Sequence, residues 1–399
     1  MKKIIKLALA ATMVLGATSA FATNGSNLIG VGAKARGMGG VGIGMSHGAE
    51  SALVNPALIS SVEGTEVQFG GTIFMPDVES TNNFGGGDSS ATSAADMSVI
   101  PAVSIASKVN ENFYWGIGMW GTAGMGVDYR DADGAADTQM QMVTNLQLMQ
   151  FGVPLVYAIN GFSVGITPLL QYGALDINYN MFGTNVGTGV GQDLAFGVNA
   201  GVAYEIAGVT MGAAYKSQID MKYNGVLSTA AGAMTGGAYT NDKLSTPAEI
   251  GLGLSYKIAE NTIALDFKQI KWSDAEGYKD FNWEDQNVIA VGYEYATESW
   301  AARVGYNYAA SPISEQNYAP GANGLTGGAV NTFNLIGFPA ITESHITVGG
   351  TYGFSKQTSV DLALAYAPEA TETFKNFMAQ DVTVKHSQTS VSVGLNYNF

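Results

Sequence analysis

The 399-residue chain contains no cysteine, which excludes a disulfide scaffold, thiolate catalysis and cysteine metal ligation. Charge is scarce as well: 13% of residues are Asp, Glu, Lys or Arg, and the formal net charge is -15. No basic tract offsets that balance, so an electrostatic partnership with nucleic acid is excluded. Beyond the N-terminus no apolar run is long enough for a transmembrane helix. Low charge without a hydrophobic helix leaves strands as the way to use so many apolar residues.

The start, MKKIIKLALAATMVLGATSAFA, has the parts of a secretory signal peptide: Lys2, Lys3 and Lys6, then an apolar core, then Ala20 and Ala22 before a cut. Residues 1–22 are therefore assigned to a cleaved export signal, and losing its three lysines takes the net charge from -15 to -18 (-15 - 3).

What is abundant is glycine and aromatics: 52 Gly, 19 Tyr and 17 Phe. An exported, acidic chain of this kind fits an all-β outer-membrane barrel, whose signature is short segments of alternating apolar and polar residues. In the terminal SVSVGLNYNF, Val391, Val393, Leu395, Tyr397 and Phe399 share one strand face, with Ser392, Gly394, Asn396 and Asn398 on the other. About fourteen such segments recur along the chain. Tight connections (109–112, 159–161, 206–209, 259–261, 296–299, 354–357) alternate with long ones (75–97, 120–145, 173–192, 219–247, 271–286, 309–344, 367–387). That is the asymmetry of periplasmic turns and outer loops. Alternation also predicts lumen charges at Asp266, Lys268, Glu294, Arg303 and Asp361, because a charge facing lipid at mid-membrane costs about 2–4 kcal/mol for Lys or Arg. Tyr293, Tyr295, Tyr306 and Tyr308 suit an interfacial aromatic girdle.

The stretch KARGMGGVGIGMSHG (34–48) matches two enzyme signatures. Gly37, Gly39 and Gly42 spell GxGxxG, but no strand precedes them and no alternating strand–helix pattern follows, as a nucleotide site requires. Gly44, Ser46 and Gly48 spell GxSxG, whose triad would need His345 or His386, so an outer-membrane lipase or esterase stays open. The acidic DYRDADGAAD (128–137) lacks the spacing of a calcium-binding loop. No metal ligand set and no cofactor site is predicted.

HGAESALVNPALISSVEGTEVQFGGTIFMPDV (47–78), preceded by ARGMGGVG (35–42), resembles the FadL family of outer-membrane transporters for long-chain fatty acids and other hydrophobic compounds. GFPAITESHITVGGTYGF (337–354) is a second local match. The resemblance implies a transmembrane antiparallel barrel (63–399) plugged by an N-terminal hatch (23–62), with Gly37, Gly39, Gly40, Gly42, Asn55 and Pro56 in the hatch. It further implies passive uptake of a hydrophobic ligand taken at the outer loops and released sideways into outer-membrane lipid. It implies no enzyme activity, a monomer, and recognition of Phe399 by the outer-membrane assembly machinery. Met38, Val41, Ile43 and Met45 of the hatch are candidate ligand contacts, as are Met125, Met140 and Met142 of a Met-rich loop, since thioethers adapt to varied apolar shapes. A fatty-acid carboxylate would want a cation, and Arg130, Lys268 and Arg303 are the candidates. A general porin is the alternative transport reading.

Overall fold

The computed structural model describes residues 23–131 and 136–399, so the assigned export signal lies outside the described residues. Fourteen antiparallel strands close into one barrel. They are β1 (Thr65–Asn82), β2 (Ser98–Lys108), β3 (Phe113–Asp128), β4 (Val143–Gly152, resuming past Pro154 as Leu155–Ile159) and β5 (Phe162–Met181). Then come β6 (Gly191–Ile206), β7 (Val209–Lys216), β8 (Glu249–Ile258), β9 (Asn261–Ile270) and β10 (Gln286–Ala296). The last four are β11 (Trp300–Ala309), β12 (Ser344–Gly353), β13 (Thr358–Lys375) and β14 (Asp381–Asn398). β14 returns to β1 in continuous register from Val382 opposite Asn82 to Asn398 opposite Glu66, which removes every sheet edge at the seam.

Alternation sets the two faces. On β9, Ile263, Leu265 and Phe267 are exposed outward to lipid while Ala264 and Asp266 are buried inward. Turns at the periplasmic end are tight; at Asn160–Gly161 both residues have φ above zero (52° and 79°), the twist-matched hairpin geometry.

The outer connections are not simple surface loops. Those after β7, β9 and β11 fold back into the lumen, the first through a helix at Val226–Met234. They bury Tyr223, Tyr239, Trp272, Tyr278, Phe281, Trp283 and Phe333 in the largest apolar cluster of the protein. The outer half of the tube is thus filled by its own loops. Nothing in strand periodicity signals this, because these aromatics lie in segments without a repeat.

Residues 23–62 occupy the rest of the lumen. A two-pair hairpin (Thr23–Asn24 with Asn27–Leu28) leads to a helical turn at Ala33–Gly37 and a 3-10 helix at Pro56–Ser61. Hatch glycines sit on inward-facing wall glycines: Gly44 on Gly253, Gly39 on Gly305 and Gly37 on Gly349. With no Cβ on either side, backbone meets backbone. Asp266 of β9 accepts the N–H groups of Gly42 (2.7 Å), Ile43 (2.7 Å) and Gly44 (3.2 Å). One carboxylate thereby satisfies three donors that the irregular hatch leaves without a ladder partner. Asn55 accepts from the Ala57 N–H, which caps the 3-10 helix begun by Pro56. Its amide also donates to the carbonyls of Ile43 (2.8 Å) and Val202 (3.2 Å), tying hatch to wall.

Candidate functional site

Between hatch and wall lies a narrow cavity of about 60 Å3. Its hatch side is made by Asn27, Leu28, Ile29, Val31 and Ile43, and its walls by apolar residues such as Leu169, Val288 and Ala290. Four charged residues interrupt the apolar lining: Asp266, which holds the hatch N–H groups, and a cluster of Lys216, Glu249 and Lys268. Lys268 Nζ is 3.0 Å from Glu249, and Lys216 Nζ is 3.7 Å from the same carboxylate. Register explains the grouping: Lys216 pairs with Glu249 across β7–β8, while Lys268 faces Gly251, one inward step down the same strand. Asn27 of the hatch hairpin donates its side-chain N–H to Glu249 at 3.2 Å. Two cations share the Glu249 carboxylate, while Asp266, the other acid of the lining, is engaged by the hatch N–H groups, so two ammonium groups gather at one end of a mostly apolar surface.

The opposite end of this cavity meets a defect in the wall. β2 and β3 pair from Lys108–Tyr114 up to Ala102–Trp120 and then part. Val99, Ile100 and Pro101 go on pairing with β1 but not with β3. Thr122 is an extra residue in β3: Gly121 is opposite Met149 and Ala123 is already opposite Leu148. A bulge of this kind bends a strand, and beyond it Ala123 through Asp128 are buried on both faces, so β3 has left the lipid-facing wall. Hydrogen bonding across the gap resumes where Ala94 N–H meets the Asp128 carbonyl at 2.7 Å. The freed edge of β3 is taken by the hatch hairpin, with Asn27 opposite Ala123 and Gly124 N–H donating to the Ser26 carbonyl at 3.0 Å. Leu28, Phe74 and Ile100 pack together behind the opening.

A cage of aromatic rings stands on the outer side of the same hairpin. Trp272, Tyr278 and Trp283 stack edge to face with centroids 4.6–5.1 Å apart, and Phe281 stacks on Phe333 at 4.6 Å. The Tyr278 hydroxyl reaches Ser26 of the hairpin at 3.2 Å. At the periplasmic end the lumen is polar: Arg303 pairs with Glu294 (2.6 Å) and lies 3.8 Å from Asp361, which in turn lies 3.9 Å from Lys34 of the hatch.

Comparison with known proteins fits this geometry. The family described as outer membrane protein transport protein (OMPP1/FadL/TodX) matches residues 7–321. The chain belongs to this family. It is 22% identical to the long-chain fatty acid transport protein of Shigella flexneri, across 82% of this chain and 85% of that protein. It is 24% identical to the 47 kDa outer membrane protein of Pasteurella multocida, across 90% of this chain and 92% of that one. In fold it resembles the crystal structure of a Pseudomonas aeruginosa FadL homologue (TM-score 0.71, 15% identity, covering 94% of this chain and 100% of that one). It also resembles the Pseudomonas putida toluene transporter TodX (TM-score 0.66, 17% identity, 93% and 99%). Membership places it in the outer membrane, among transport proteins.

The sequence candidates distribute unevenly over this FadL/TodX frame. Of the apolar hatch residues singled out by type, Ile43 lines the cavity, whereas Met38, Val41 and Met45 pack against Ala264 and Ala290 of the wall. Met125 borders the aromatic cage, Met140 a pocket at the outer rim, and Met142 is fully buried. Of the cations, Lys268 faces the chamber, Arg303 is committed to the periplasmic ion pairs, and Arg130 is held by Asp128 at 2.6 Å near the outer surface. Lys216, Glu249 and the aromatic cage carry no sequence signal of their own; only the register of β7 to β9 and the inward fold of the loops bring them together. Ser46 bonds to Ser61 (2.7 Å) and the Leu58 carbonyl (3.0 Å), while the His47 ring bonds to the Val41 carbonyl (2.7 Å). Neither GxSxG nor GxGxxG forms its site; Gly37, Gly39 and Gly44 serve the contact with the wall, while Gly40 and Gly42 pack against Ile29 and Val54 within the hatch.

Proposed function

We propose that this protein takes up hydrophobic compounds across the outer membrane, with monocarboxylates such as fatty acids as a main substrate class, and releases them sideways through the gap between β2 and β3. The observation that carries this is the single cavity bounded by Lys216, Glu249 and Lys268 on one side and by Leu28 and Thr122, beside the wall gap, on the other. A carboxylate entering the chamber meets the ammonium groups of Lys216 and Lys268, and its alkyl chain gains roughly 0.8 kcal/mol per methylene removed from water. Transfer to lipid keeps that chain apolar throughout, so a downhill gradient suffices and no energy source is needed. Relatives named for long-chain fatty acids and for toluene are consistent with a chamber that accepts chains or rings.

In this reading residues 23–62 are a movable hatch, the protein acts as a monomer without catalysis, and Phe399, exposed at the end of β14, is the assembly signal. The general porin is disfavoured because the outer loops and the hatch fill the lumen. The deciding experiment expresses the protein in a strain lacking its own fatty-acid and hydrocarbon transporters. It then measures uptake of radiolabelled laurate and toluene beside conductance in planar bilayers. Uptake with low conductance is expected; steady porin-like conductance without uptake would overturn the reading.

A further inference from the structure

The chamber is lined by polar atoms that the fold leaves without partners. Gln150 Oε1 on β4, Thr122 Oγ1 at the β3 bulge and Asn307 Oδ1 on β11 belong to residues of the cavity lining, and none meets a hydrogen-bond partner among the described residues. Gln150 and Asn307 are 3% and 1% exposed, so bulk solvent does not serve them. Buried amides are ordinarily satisfied, because an unpaired one gives up its hydration for nothing in return. The wall itself does not demand amides at these places, since Ala214 and Ala290 hold other positions of the same lining.

The bonds already made decide what kind of group completes the set. Asn307 donates its side-chain N–H to the Gly39 carbonyl of the hatch (3.0 Å), so its remaining atom can only accept. Gln150 donates to Gln171 (2.8 Å) and Gln171 to Thr246 (2.7 Å), which again leaves an oxygen over. With both glutamine amides turned over, the relay runs the other way and leaves the Gln150 N–H over instead. A hydroxyl fits either arrangement because it donates and accepts, and the Thr122 hydroxyl can take the complementary role; a ketone offers no proton. A cationic donor is repelled by Lys216 and Lys268 in the same chamber. Register places Gln150 well away from that charge. It lies opposite Gln171 of β5, which lies opposite Ala195 of β6, and β7 with Lys216 follows, so three strand spacings of about 4.8 Å intervene, roughly 14 Å round the wall. Trp120, two residues before the bulge at Thr122, is the β3 partner of Gln150, which puts this amide beside the wall gap.

We propose that the chamber prefers a monocarboxylate bearing a hydroxyl far along its chain, with the carboxylate at Lys216 and Lys268 and the hydroxyl hydrogen-bonded to Gln150 beside the gap. Gln150 is then a specificity-determining residue of the uptake site, and the proposal rests on the uptake reading above. The test measures uptake of laurate, 2-hydroxydodecanoate, 10-hydroxydodecanoate and 10-oxododecanoate by wild type and by Gln150→Met, which keeps the side-chain volume. In wild type, KM for the 10-hydroxy acid should be about three- to tenfold below that for laurate, the size of one net hydrogen bond. The 2-hydroxy acid, whose hydroxyl stays beside the head, and the 10-oxo acid, which has no proton to give, should show no such gain. Gln150→Met should abolish the preference by raising KM for the 10-hydroxy acid alone, with laurate and toluene uptake unchanged, which separates a lost contact from a damaged barrel. Equal KM for laurate and the 10-hydroxy acid in wild type, a preference that survives in Gln150→Met, or an equal gain for the 10-oxo acid overturns the proposal. Laurate uptake without the preference sinks this inference and leaves the uptake reading standing; uptake of none of the acids and no toluene sinks both.

Discussion

Placing a methyl group on Gly44 tests the contact between hatch and wall directly. A Cβ there would overlap the backbone of Gly253 and Leu254 and lie 2.7 Å from the Gly253 carbonyl oxygen. No side chain can turn aside to relieve it, because every atom met is main chain. β8 is locked by its ladders to β7 and β9, so the hatch has to retreat, by about 1 Å to reach van der Waals distance. Such a retreat stretches the 3.2 Å bond from Gly44 N–H to Asp266 and the 2.7 Å bond from Ser255 to the Gly44 carbonyl. Overpacking of this kind costs about 1–3 kcal/mol, and weakening a charge-assisted bond adds about 1–2 kcal/mol. Gly42→Ala is the control: its Cβ would meet a Val54 methyl at 3.2 Å, which the side chain yields by a small rotation, at a cost below about 1 kcal/mol. Both variants should fold as heat-modifiable barrels on gels. In planar bilayers Gly44→Ala should conduct ions in frequent openings while Gly42→Ala stays as quiet as wild type. Equal conductance in the two variants, high or low, would refute the reasoning that close glycine contacts seat the hatch.

Lys216→Gln combined with Lys268→Gln should lower laurate uptake at least tenfold and toluene uptake less than twofold, since only the carboxylate gains from the two ammonium groups; a parallel fall in both would count against that assignment. Deleting Thr122 restores the β3–β4 register and should bring β3 back beside β2, abolishing uptake while the barrel still assembles; unimpaired uptake would remove the gap from the pathway. Glu50, on the hatch rather than on a spanning strand, is pushed up by burial to about 8 from an ordinary 4.5, against the attraction of Lys34. A carboxyl raised in the folded state stabilises it fully below the ordinary value and loses that contribution as pH rises through about 8. Protease sensitivity of the hatch should therefore increase from about pH 4.5 to about pH 8 and level off above it, and Glu50→Gln should flatten the profile; a flat wild-type profile would contradict this.

The barrel was legible because strand alternation is a local signal. Ile263, Leu265 and Phe267 against Ala264 and Asp266 need only five consecutive residues to be read. The same periodicity correctly turned Asp266, Lys268, Glu294, Arg303 and Asp361 inward, but it holds no information on height along the barrel axis. Arg303 and Lys268 therefore looked equivalent as carboxylate anchors, although register puts one among the periplasmic ion pairs and the other in the chamber. Lys216 and Glu249 were invisible for the same reason, since their pairing spans a long inward-folding connection. The Thr122 bulge adds one residue to an otherwise regular strand, and no composition signal marks that addition. Methionine content misled in the hatch, where Met38 and Met45 fill space against small wall residues rather than line the cavity.

The two closures of the lumen differ in kind, and the difference argues for a sideways path. To leave along the axis, an apolar chain must pass Arg303, Glu294, Asp361 and Lys34 at the periplasmic end. Separating one buried pair there, with no polar group to replace the partner, costs about 3–5 kcal/mol. The gap beside β3 is stopped instead by Leu28, Phe74 and Ile100. When Leu28 withdraws, a ligand methylene covers the same apolar area at about 25 cal/mol per Å2, so substituting one for the other is close to neutral. A hydrated ion has the opposite preference, because it gains nothing from an apolar gap. In the proposed uptake the same pair of closures would pass hydrophobic cargo to the bilayer and hold ions back, without either closure having to recognise a particular compound.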